Sequence, residues 1–132
     1  MKEGKFLTDT CRLSRRFREC EVVDLDKIGL VEKHADLLLI CGNVVIVIEE
    51  TNTMKRDDLD QVISTIDDVM AKKERYGVKS DPDKFVGIVH FMRRVDGIVK
   101  KAILPRSVKV WVERAECCDA LIRKISQFLQ NV

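Results

Sequence analysis

The sequence predicts an α/β domain: a mixed β-sheet with a central hairpin, flanked by helices. Three observations carry that expectation. Two apolar runs rich in Val, Ile and Leu, residues 35–41 and 44–50, meet at Gly42-Asn43, a pair that tolerates positive φ and suits a tight hairpin. Further strand-like runs then alternate with stripes of helical spacing. No Pro/Gly-rich linker interrupts the 132 residues, so one domain is expected over 1–132, with a basic segment at 1–18, an α/β core at 20–113 and a last helix at 116–131.

Taken in order, residues 1–18 hold Lys2, Lys5, Arg12, Arg15, Arg16 and Arg18 against Glu3 and Asp9. Phe6, Leu7, Leu13 and Phe17 are apolar anchors there, and a short helix is expected over 10–18. Residues 20–25 read as a first strand and 26–33 as a polar connection. The hairpin strands are almost continuously apolar, which predicts a sheet covered on both faces.

A helix follows, capped by Asn52 or Thr53 and stopped at Gly77. Its stripe is Leu59, Val62, Ile63, Ile66, Val69 and Met70. Asp57 and Asp58 suit its positive end, and Lys72, Lys73 and Arg75 its negative end. A strand is expected over 84–92. Val95, Ile98, Val99, Ala102 and Ile103 then predict a short crossover helix over 93–104, closed by Pro105. Residues 107–113 alternate as a strand, with Val108, Val110 and Val112 on one face and Lys109 and Trp111 on the other. The final helix carries Cys117, Leu121, Ile125, Phe128 and Leu129 on its apolar side.

Composition narrows the setting. The chain is 45% apolar and 35% charged, with three Asn and three Gln against 24 Lys+Arg and 22 Asp+Glu, a bias that points to a thermophile. No apolar run approaches a membrane span and no signal core opens the chain, so neither membrane nor secretion is expected. The five cysteines are odd in number and lack zinc-finger spacing; Cys41 and Cys117 lie in apolar patterns. A reducing, cytoplasmic setting is expected, with those two cysteines in the core.

Function is sought in two carboxylates that strand propensity does not ask for. Asp36 opens the first hairpin strand, and Glu49 ends the second thirteen positions on. Two acids at one end of a sheet offer oxygen ligands to Mg²⁺, which can activate water against a phosphodiester. The bland reading is an ion-paired sheet edge.

This pattern resembles the PD-(D/E)XK nuclease superfamily, especially its archaeal Holliday-junction-resolvase-like members. The resemblance covers residues 20–113 and implies a restriction-endonuclease-like core. In it Asp36 and Glu49 would be the metal-binding and catalytic acids, with Gln61 on the following helix. Two departures matter: Ala35 replaces the proline before the aspartate, and Thr51 replaces the lysine two residues after Glu49. A hydroxyl carries no charge and cannot stand in for that ammonium. Lys55 or Lys33 would have to migrate into its place. The run ADLLLICGNVVIVIEET followed by DDLDQVISTIDDV is also similar to the ThermoDBP family of archaeal single-stranded-DNA-binding proteins, which implies binding without cleavage.

The leading expectation is a non-catalytic binder of single-stranded DNA or RNA, needing no cofactor. Its contacts would come from Arg12, Arg15, Arg16, Arg18, Lys33, His34, Thr51, Asn52, Lys55 and Arg56, with Phe6, Phe17, Phe91 and Trp111 as stacking candidates. The alternative is a Mg²⁺-dependent endonuclease using Asp36, Glu49 and Lys55. A third reading gives the last helix to a partner or to a homo-oligomer. His90, in an apolar strand, is expected to be a packed core residue.

Overall fold

The computed structural model describes residues 11–30, 33–79, 81–97, 104–107 and 109–130. Its centre is a mixed sheet of five strands in the order β1-β2-β3-β4-β5. These are β1 (Glu21–Asp24), β2 (Leu37–Cys41), β3 (Val44–Met54), β4 (Lys84–Val95) and β5 (Val110–Ala115). The first three form an antiparallel meander; β3, β4 and β5 run parallel. Helices are α1 (Leu13–Arg16), α2 (Arg56–Ala71) and α3 (Cys118–Gln130). The α/β class expected from the hairpin and the alternating elements is the one observed.

The near-continuous apolar strands are explained by two core layers. Leu38, Val45, Val47 and Val89 pack under Leu59, Val62, Ile66 and Val69 of α2. Leu39, Ile46, Ile48, Val86 and Ile88 pack under Leu121, Ile125 and Phe128 of α3 and under Leu13 and Phe17 around α1. Alternate residues of each strand therefore meet different helices. The stripe of α3 serves this chain's own sheet.

Local chemistry sets the element ends. At the hairpin only Gly42 takes positive φ, at +61°, and Cys41 pairs with Val44. That is the pattern of a turn needing Gly at its first central position alone. The α2 N-terminus corrects the expected cap. Asn52 and Thr53 belong to β3, and Lys55 precedes the helix, its N–H donating to the Asp58 carboxylate at 2.8 Å. Thr51 and Thr53 pair with β4 on either side of an irregularity at Asn52, so the two expected caps, Asn52 and Thr53, lie within the strand. Gly77, at φ +77°, ends the 3₁₀ turn that follows α2.

The expected crossover helix is corrected at its start. Arg93–Val95 continue β4, paired with the end of β3; residues 98–103 lie outside the described residues. On β5, Val110 and Val112 face the α2 layer and Trp111 the other, as the alternation predicts; Val108 lies outside the described residues. Among the described residues, no helix is long and apolar enough to cross a membrane.

The cysteines are a further correction. Cys11 is bonded to Cys118, and Cys20 to Cys41. Cys41 is buried but disulfide-bonded, and Cys117 is the free thiol and exposed. The pairs are 107 and 21 residues apart, so no local spacing announces them.

Candidate functional site

The acidic corner forms where β2 runs out. Leu37 pairs with Ile48, and the Asp36 N–H donates to the Ile48 carbonyl at 3.0 Å. Beyond that point β2 offers no further carbonyl to β3. The Asp36 carboxylate takes over the role, accepting the Glu50 N–H at 2.8 Å. Asp36 is therefore held against the peptide that joins Glu49 to Glu50.

The two glutamates diverge by strand alternation. Glu49 is aligned with Val89 and continues the row of Val45 and Val47, toward α2. Glu50 is aligned with His90 and continues the row of Ile46 and Ile48, toward α3. Asp36, Glu49 and Glu50 are 0%, 3% and 4% exposed. Oxygen donors suit Mg²⁺, an ion that keeps several waters, whereas these carboxylates are buried.

Thr51, two residues after Glu49, donates its hydroxyl to the Thr53 carbonyl at 3.1 Å across an irregularity in β3. Lys55 lies past the end of β3 at Met54, six residues beyond Glu49 and so about 20 Å along the strand. A lysine side chain does not span that distance. Lys55 instead stands beside Thr53, Asp96 and Gly97. Lys33 and His34 line a cleft with Asp26 and Gln61 on the α2 side. His34 Nδ1 lies 2.7 Å from its neighbour's carbonyl, Ala35 O, and Nε2 lies 3.7 Å from Asp26, the partners its ring is shown to meet.

The expected binding residues fall in three places. Arg12, Arg15, Arg16 and Arg18 are all exposed around α1, which is anchored by buried Leu13 and Phe17. Arg12 adopts φ +55°, a costly conformation for a side-chain-bearing residue, between disulfide-bonded Cys11 and buried Leu13. Lys33 and His34 sit at the cleft just described. Thr51, Asn52, Lys55 and Arg56 lie at or beyond the end of β3, and Arg56 is paired with Asp60 at 3.3 Å.

A strand-end ribbon supplies residues the sequence reading missed. β3 and β4 stay paired through Met54 and Val95, whereas β5 ends at Ala115 opposite His90. The ribbon thus runs past its neighbours, leaving Met92 49% exposed and Arg93 exposed. Assigning residue 93 onward to a helix hid Arg93, while Met92 ended the expected strand.

The stacking candidates fare poorly. Phe17 and Phe91 are 5% and 8% exposed. Trp111 is half-buried, edge-on to Phe128, with Lys84 Nζ and Arg106 Cζ at 5.1 and 5.4 Å from its ring and its Nε1 donating to Glu113 at 2.7 Å. Phe6 lies outside the described residues.

The far side of the corner holds His90, 1% exposed as a core residue should be, with Nδ1 3.8 Å from the Glu50 carboxylate. Burial pushes its pKa down to about 4, so the ring is neutral near pH 7. One nitrogen of His90 and the sulfurs of Cys11 and Cys118 lie within 4.8 Å of one another. That contact fixes the start of α1 beside the C-terminal half of β4. Compared with known proteins, the chain matches no family model, no curated protein and no solved structure.

Proposed function

We propose that this chain binds nucleic acid, favouring single strands, and does not cleave it. The carrying observation is the placement of α1. Its exposed Arg12, Arg15 and Arg16 are tethered through Cys11 beside His90, two and three residues before exposed Met92 and Arg93. Arg12, Arg15 and Arg16 lie between Cys11, beside His90, and Cys20, which is bonded to Cys41 at the hairpin end, a cationic row suited to following a phosphate backbone. Because Phe17 and Phe91 are committed to the core, affinity rests on charge more than on base stacking. The absence of cleavage is supported by Thr51 in the lysine position, its hydroxyl turned to its own strand, and by the burial of Asp36 and Glu49.

The test is anisotropy of a labelled oligothymidine or oligouridine over a salt series. Each phosphate contact contributes about 0.7 to the slope of log affinity against log salt for single strands. Replacing Arg12, Arg15 and Arg16 by Ala is expected to flatten the slope by about 2. Absence of binding at low salt contradicts the reading.

A metal-dependent nuclease is the second reading, favoured by the approach of the Asp36 carboxylate to the Glu49–Glu50 peptide. It requires the corner to open. Cleavage of plasmid or single strands with Mg²⁺ or Mn²⁺, abolished by Asp36→Asn, would establish it. As to setting, we place the protein in the cytoplasm of a thermophile, since intracellular proteins of hyperthermophiles are rich in disulfides.

A further inference from the structure

His90 is buried at 1% exposure, yet neither ring nitrogen makes a hydrogen bond among the described residues. A polar group left so in a core calls for an explanation. Its Nδ1 side is turned to Glu50 at 3.8 Å, beyond hydrogen-bond distance. A nitrogen of the ring lies within 4.8 Å of both Cys11 Sγ and Cys118 Sγ. These three residues come from the chain before α1, from β4 and from the first turn of α3, so no sequence spacing reveals them together.

We propose that this corner is a redox-gated zinc site, closed by the Cys11–Cys118 disulfide and opened by its reduction. A dithiol reductant supplies two electrons and two protons. The Cys11–Cys118 bond breaks to two thiols, and the reductant closes to its own disulfide. Zn²⁺ then displaces both thiol protons to solvent and is held by Cys11 Sγ, Cys118 Sγ and His90.

The chemistry of the donors fits. Two thiolates and a neutral imidazole are a borderline-soft set that prefers Zn²⁺ over Mg²⁺. Sulfurs in a tetrahedral site stand roughly 4 Å apart, so opening the disulfide calls for a small separation of the two chains. Glu50 beside Nδ1 leaves Nε2 for the metal and orients the ring, the usual arrangement of a carboxylate behind a ligating histidine. Cys118 is half-buried, which gives an ion a way in. Either state ties α1 to α3, but reduction without metal frees the arginine-bearing segment from its tether.

The full chain, reduced and metal-free under argon, is titrated with Co²⁺ and followed by thiolate-to-cobalt charge transfer in the near ultraviolet. One equivalent is expected to bind with that signature. The oxidised native chain and Cys118→Ser are expected to lack it; Cys117→Ser and the Cys20→Ser/Cys41→Ser double variant are expected to keep it. Glu50→Gln is expected to weaken Zn²⁺ about 10-fold in competition with a chromophoric chelator. The proposal is overturned if the reduced native chain gives no charge-transfer band, if Cys118→Ser retains one, or if Cys117→Ser loses it. The oxidised-versus-reduced comparison needs no variant and stands even if a substitution prevents folding.

Discussion

Asp36 occupies a position where a strand ends one residue before its neighbour's need for a partner does. Its carboxylate supplies the acceptor that the β2 backbone no longer offers to Glu50. Asp36→Ala is expected to leave that buried N–H unpaired and to lower unfolding free energy by about 1–3 kcal/mol, read by urea denaturation. Asp36→Asn keeps an acceptor oxygen and is expected to cost less; equal losses in the two variants would contradict this role. Glu113 makes a second prediction at this scale. Burial raises its pKa, but hydrogen bonds from Trp111 and Lys124 and the charges of Lys124 and Arg106 outweigh burial, leaving it lowered. A carboxyl with a folded pKa below its unfolded value contributes stability that is present above the unfolded pKa and lost as pH falls through the folded one. Native protein is therefore expected to lose stability in acid more steeply than Glu113→Gln, as thermal melts below the ordinary glutamate range would show. Identical acid limbs would sink the assignment.

The docking of α2 on the sheet depends on Gly87. A Cβ there would fall 2.3 Å from Val62 Cγ1 and 2.9 Å from Ile66 Cδ1, so the helix lies directly on the β4 backbone. Gly87→Val is expected to force α2 outward and destabilise by about 1–3 kcal/mol in urea melts, and no loss would contradict this packing. Element identity was largely legible, because the two-sided apolar strands and the α2 and α3 stripes each have one periodicity that fits. Element ends were less so. Asn52 and Thr53 carry side chains suited to a cap, yet β3 runs on through them, paired with β4 at Thr53 and Met54, and delays the helix to Arg56. Val95 fitted a helical stripe with residues further on but is paired to Met54. That misreading concealed Arg93, which the strand leaves exposed. The acids Asp36 and Glu49 were legible as anomalies and His90 as a core residue; the grouping of His90 with Glu50, Cys11 and Cys118 was not, because only the fold brings them together.

Across the whole molecule, two covalent ties fasten the N-terminal segment and the hairpin. The Cys11–Cys118 bond spans 107 residues and links the start of the described chain to α3; Cys20–Cys41 joins the approach to β1 to the end of β2. Each is expected to contribute on the order of 3 kcal/mol, the larger loop more. Reduction in metal-free buffer should therefore lower the melting temperature, and an unchanged melt would contradict the contribution of both bonds. The same two bonds hold the arginine-bearing segment around α1 at both of its ends, Cys11 and Cys20. The most direct measurement of the central claim is the salt dependence of single-strand binding by native protein and by the Arg12→Ala/Arg15→Ala/Arg16→Ala variant, with the oligonucleotide examined for cleavage in the same samples. The account predicts an intact oligonucleotide, a steep native slope and a slope flatter by about 2 in the variant. Equal slopes, or a native chain that does not bind at low salt, would contradict it.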